Sequence, residues 1–144
     1  MWLAGFIRLA IFFFIAKYFK ENPSKYNLVF IAFAGEEAGL VGSDYFVKHP
    51  FFKLKKIKFL LNLDILGSGE DGITIVNATE HTEEFELFEA INTQEKLVSR
   101  IKKRGPTANS DHYFFSQSGI PAFFIYSMGN VKNYHDIYDT AENT

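Results

Sequence analysis

Cysteine is missing from this 144-residue chain, so neither a disulfide nor a thiolate metal site can form, while the redox compartment stays open. An excess of one charge is missing too. Fifteen basic residues stand against 17 acidic ones, a net charge of -2, and this gives no support for binding nucleic acid. The one basic cluster, Lys53 to Lys58, is interrupted by Leu54 and Ile57, as a solvated approach to a strand would be. The N-terminal segment lacks a long charge-free stretch: Arg8 and Lys17 confine it to Leu9–Ala16, too short to span a bilayer. No membrane contact is expected. Several short catalytic motifs are absent as well. There is no H-E-x-x-H, no calcium loop, no phosphate-binding glycine loop and no G-x-S-x-G elbow, which weakens the case for nucleotide chemistry and for Ser-His-Asp hydrolysis.

Apolar residues make up 47% of the chain, with 17 Phe and 7 Tyr, enough for a real core in about one domain spanning 1–144. Trp2–Glu21 has the continuity of a helix, stopped by Asn22-Pro23. Leu28–Ala34 is uncharged and Phe- and Ile-rich, which predicts an interior strand of a largely parallel sheet. Gly35 and two glutamates then turn the chain into a helix over about Ala38–Lys48. Ile57–Asp64 and Ile73–Val76 read as strands. Thr82–Gln94 reads as a helix that Thr82 can cap, with Phe85, Phe88 and Ile91 on one face. Arg100–Pro106 reads as a basic loop or edge. A short helix over Asp111–Ser118, capped by Asn109 or Ser110, leads through Gly119-Ile120-Pro121 to a last strand, Ala122–Tyr126. This alternation predicts an α/β fold, a three-layer sandwich with a mostly parallel mixed sheet. Such folds hold their ligands at the C-terminal ends of strands, where Glu36, Asp64 and the loop after Tyr126 all fall.

Those positions carry the chemistry. Glu36 and Glu37 are adjacent in a tight turn, so their side chains point apart. One can bind a metal while its neighbour accepts a proton from water. They can equally be first-turn glutamates stabilised by a helix N-terminus. Asp64 ends a buried run and suits a ligand or a loop cap. Of the four histidines, His49 and His81 read as solvated or capping groups. His112 lies next to Asp111, which could orient its ring. His135 sits in a polar loop and is the best candidate ligand, with Tyr134 beside it as a donor to an oxyanion.

Taken in order, Phe30–Ser43, Asn62–Gly67, Ser110–Phe115, Gly119–Pro121 and Tyr134-His135 through Asp139-Thr140 resemble the zinc-dependent aminopeptidases of the M28 peptidase family. The resemblance implies a zinc-exopeptidase-like fold and hydrolysis of the N-terminal peptide bond of a peptide substrate. It implies Glu36 as general base, Glu37 and His135 as ligands of one zinc, Asp64 as a ligand of the other, and Tyr134 polarising the scissile carbonyl. Asp111 and His112 would support the ligands. A secreted or periplasmic parent is also implied.

The family pattern includes a histidine and a metal-bridging aspartate upstream of the glutamate pair. Here no histidine precedes His49 and no aspartate precedes Asp44. The expectation is therefore an incomplete domain that holds at most one zinc tightly, where an intact relative holds two. Two alternatives stand beside it. One is a single-zinc acyl-transfer relative of glutaminyl cyclases. The other is a non-catalytic α/β binding or association module that self-associates through exposed apolar surface.

Overall fold

The computed structural model describes residues 3–130, so Tyr134 and His135 lie outside the described residues. The chain opens with helix α1 (Leu3–Glu21) and continues with α2 (Val41–Lys48), a single 3-10 turn over Leu54–Lys56, and strands β1 (Leu60–Leu63) and β2 (Gly72–Val76). Helix α3 (Thr82–Glu95), β3 (Ile101–Lys103), α4 (His112–Gln117) and β4 (Ala122–Met128) follow. The four strands form one sheet in the order β1-β4-β2-β3. β1 runs parallel to β4 and β2 parallel to β3, while β2 and β4 are antiparallel. The mostly parallel mixed sheet expected from the sequence is present.

Alternation along β4 explains the layers. Phe123 and Ile125 join Ile75, Ala78 and Phe85 in one cluster, beside Phe88 of α3. On the opposite face Phe124 lies against His112 of α4, with ring centroids 5.4 Å apart. Phe115 of α4 meets Phe46 of α2 and Ile120 in a second cluster. The period of two along a strand sends neighbouring side chains to opposite faces, so one seven-residue strand serves both helical layers. Burying Phe123 and Phe124 completely is worth roughly 1.5–3 kcal/mol per side chain.

Several elements differ from the expectation. Residues 28–34 form no strand and are not buried; an apolar run becomes a strand only where another edge pairs with it, and among the described residues β1 is bonded only to β4. The strand read at Ile57–Asp64 is shorter, because pairing starts where Leu60 N–H reaches the Pro121 carbonyl at 2.9 Å. Helix α2 starts at Val41 rather than Ala38, since Gly39 (φ 101°) and Leu40 (φ 60°) are both left-handed, a conformation no α-helix continues through. Thr82 is not the cap of α3: His81 occupies that position and makes no side-chain capping bond. Part of the basic loop is the edge strand β3, whose Lys102 and Lys103 are exposed; charge on an edge discourages further pairing. Helix α1 has no buried residue among those whose side chains are described, and Phe13 and Phe14 are 68% and 72% exposed. No helix among the described residues is long and apolar enough to cross a membrane.

Candidate active site

Asp64 follows the last residue of β1 and is 8% exposed. Its amide donates to the Ile125 carbonyl at 3.2 Å, which ties it to β4. Its Oδ1 accepts the Ile65 N–H at 2.8 Å. Its Oδ2 lies 3.4 Å from the Ser110 hydroxyl, and that hydroxyl in turn accepts a 2.7 Å bond from the Asn62 amide. Ser110 is fully buried. Asn62 and Ser110 thus form a short relay that fixes the carboxylate from behind.

The backbone immediately after Asp64 is strained. Ile65 has φ 50°, a region that costs a β-branched residue roughly 1–3 kcal/mol. Both the amide and the hydroxyl of Ser127 donate to the Ile65 carbonyl, at 3.1 and 3.0 Å. These two bonds hold the turn at the point where the chain leaves the sheet. Strain kept in place by surrounding bonds is common at functional sites.

Glu36 and Glu37 sit in a turn fastened by main-chain bonds. Val41 N–H donates to the Gly35 carbonyl at 3.0 Å, Gly42 N–H to the Ala34 carbonyl at 2.9 Å, and Leu40 N–H to the Glu36 carbonyl at 2.8 Å. Buried Ser43 donates its hydroxyl to the Leu40 carbonyl at 3.1 Å. Gly35 takes φ 67°, which glycine does without steric cost. A Cβ on Gly42 would stand 2.8 Å from the Ala34 nitrogen, so only glycine lets α2 come this close to the turn. Glu36 is half-buried and Glu37 exposed. The two neighbours therefore occupy different environments, as a division of roles requires.

Asp111 is 8% exposed and His112 fully buried. Among the described residues neither ring nitrogen of His112 has a hydrogen-bond partner, so Asp111 does not hold the ring by a hydrogen bond; the ring packs on Phe124 with the two planes tilted by 31°. Burial pushes the His112 pKa down from 6.5 to about 4, although the Thr107 and Ser110 backbones, near the ring but outside hydrogen-bond geometry, partly oppose the shift. A cavity of about 190 Å³ beside it is lined by Asn77, Thr107, His112, Ser116 and neighbours, and by none of the candidate carboxylates. Asn62, Ser127 and the strained Ile65 do not stand out in the sequence. The available signal is an asparagine inside an otherwise apolar strand.

Among the described residues, no group of three or more His, Cys, Asp or Glu is placed to hold a metal ion. Carboxylate oxygens and an imidazole suit zinc by type, but Glu37 and Asp64 do not close a centre by themselves.

Residues 8–144 match the model of Peptidase family M28. The chain is similar to Aminopeptidase YwaD of Bacillus subtilis, 29% identical over 134 residues that cover 90% of this chain and 30% of that protein. It is also similar to a protein named "Probable leucine aminopeptidase" from Arthroderma benhamiae, 28% identical over 121 residues covering 81% and 32%. Among solved structures, an aminopeptidase from Aneurinibacillus sp. strain AM-1 superposes with a TM-score of 0.61 at 26% identity, covering 79% of this chain and 28% of that one. A zinc aminopeptidase from Bacillus subtilis gives 0.63 at 21% identity, covering 78% and 30%; at that identity the likeness speaks for the fold. The chain spans about a third of the length of these relatives. The family match covers nearly the whole chain, and on that ground the chain belongs to peptidase family M28.

Proposed function

We propose that this chain carries part of the machinery of a zinc-dependent aminopeptidase acting on the N-terminal residue of peptides. The observation that best supports this reading is the buried Asp64 carboxylate at the end of β1, held by Ile65 N–H and Ser110. Burying a carboxylate this far costs several kcal/mol unless a positive charge or donors compensate, and a cation is a natural complement. In this reading Glu37 and His135 are ligands of one zinc and Asp64 a ligand of a second, more weakly held one. When bound, zinc makes water acidic enough to attack a carbonyl near neutral pH.

The protein's own groups have separate tasks. Glu36, outside the ligand set, accepts the proton from the attacking water and returns it to the leaving amine. Such transfers contribute about 10²–10⁴-fold to rate. The fastened turn keeps the Glu36 backbone still relative to α2, and Tyr134 donates to the oxyanion.

Zinc content after dialysis, together with hydrolysis of an aminoacyl chromogenic substrate, tests the reading. We expect at most one tightly held zinc per chain, reduced further by His135→Ala. Glu36→Gln should leave zinc in place and lower any hydrolysis at least about a hundredfold. Two tightly bound zinc ions, or a Glu36→Gln variant as active as the unmodified chain, would overturn the assignment.

A further inference from the structure

The face of the sheet that carries α4 holds opposite charges on either side of one tyrosine. The pairing Leu63↔Ile125, continued by one residue, sets Asp64 beside Tyr126, with about 4.8 Å between the two strands. Tyr126 stands on the same face as Phe124, their ring centroids 5.3 Å apart, and Phe124 packs on His112 of α4. Asp64 belongs to that face as well, through Ser110 just before α4. From the far edge of the sheet, Arg104 reaches back across β2. Its Nη1 donates to the Tyr126 hydroxyl at 3.0 Å, and its guanidinium carbon lies 6.0 Å from the Tyr126 ring centroid.

This cation is exposed but held. The Arg104 N–H donates to the Ile75 carbonyl at 3.0 Å, and its carbonyl accepts the Ala78 N–H at 3.1 Å, so its backbone is tied to β2 and to the turn after it. One side-chain donor goes to Tyr126, and the guanidinium makes no ion pair among the described residues. Its planar fork of donors matches the two oxygens of a carboxylate. Lys102, paired with Thr74 in the same row as Tyr126, adds a second cation at this edge.

We propose that Arg104, set in place by Tyr126, selects peptides whose N-terminal residue carries an acidic side chain. The inference rests on the hydrolytic reading, in which the scissile bond lies at the Asp64 end of this face. The side chain of the N-terminal residue is then the part of the substrate that extends over Tyr126 to Arg104. A carboxylate there takes charge-assisted hydrogen bonds from the guanidinium. An apolar side chain would desolvate the guanidinium and give it no partner, which a binding site penalises strongly. Tyr126 is a positioning residue in this scheme: it fixes the arginine and makes no contact with the reacting atoms.

Nuclear magnetic resonance titrations with glutamyl, glutaminyl and leucyl para-nitroanilides, with and without added zinc, test it; cleavage of the same compounds is followed separately. None has a C-terminal carboxylate, and the first two differ only in the side-chain charge. We expect the glutamyl compound to bind at least about tenfold more tightly than the glutaminyl one. Arg104→Met should bring that ratio close to one, Arg104→Lys should retain part of it, and Tyr126→Phe should lower it. If Arg104→Met does not fold, the ratio in the unmodified chain and in Tyr126→Phe still decides. Equal binding of the three compounds, tighter binding of the leucyl one, or no binding at all overturns the proposal. So does a preference that survives Arg104→Met, or displacement of the glutamyl compound by equimolar inorganic phosphate. A glutamyl preference in binding without cleavage of any compound would sink the hydrolytic reading and leave the acidic recognition standing. Cleavage of all three at equal kcat/KM would do the reverse.

Discussion

Replacing His112 with phenylalanine should make the folded protein more resistant to acid. The ring is fully buried against Phe124, with no hydrogen-bond partner for either nitrogen among the described residues, and its pKa is lowered from 6.5 to about 4. Below pH 6.5 the unfolded chain takes up a proton that the folded chain refuses, so folding loses stability as the pH falls. The loss ends near pH 4, where the folded state is protonated as well. At about 1.36 kcal/mol for each pH unit between the two pKa values, the window from about 6.5 to about 4 costs on the order of 3 kcal/mol. That is a large part of a typical stability of about 5–15 kcal/mol. Phenylalanine keeps the aromatic contact, removes the titration and takes away two buried nitrogens that make no hydrogen bond among the described residues, an exchange that is often neutral or stabilising. Urea unfolding of both proteins between pH 7.5 and about 4 gives the comparison. Carboxylates titrate in both, so the difference between the two curves isolates His112. We expect that difference to grow by about 3 kcal/mol in favour of His112→Phe as the pH falls. Parallel curves would show that the ring is solvated or paired in the folded state, and the argument would fail.

Two further substitutions probe the carboxylate sites. Ser110→Ala removes the group that joins the Asn62 amide to the Asp64 carboxylate; it should cost about 1–3 kcal/mol in urea unfolding and weaken zinc retention, whereas Ser110→Thr, if it fits, should recover part of both. Gly42→Ala would ordinarily stabilise a helix by up to about 1 kcal/mol, but here the new Cβ meets the Ala34 backbone, so we expect destabilisation of about 1–3 kcal/mol; a rise in stability would show that the turn holding Glu36 and Glu37 is looser than its hydrogen bonds indicate.

Much of this fold could be read from local pattern, because local pattern governs helices with clear stops and strands with apolar cores. The stop of α1 before Asn22-Pro23, the α3 segment with Phe85 and Phe88 on its packed side, and the Ala122–Tyr126 core of β4 all follow from side-chain type within a short window. Residues 28–34 mark where that reasoning ends. Their sequence is as strand-like as that of β4, yet β4 has a strand on both sides and 28–34 has no strand partner among the described residues. Pairing is a property of two segments, and a single-segment pattern cannot supply the second. The same distinction divides the candidate site. Asp64 was legible because a carboxylate ending an apolar run is costly and calls for compensation. Ser110 and Asn62, which provide part of it, lie 46 and 2 positions from Asp64 in the chain, and only the packing of the turn before α4 against the end of β1 brings all three together. His112 reverses the usual inference. Beside an aspartate it reads as an oriented support for the ligands, whereas the structure buries it as a tilted ring against Phe124. Its chemical identity therefore matters most through its proton, and the acid-stability comparison tests that role without any metal in the protein.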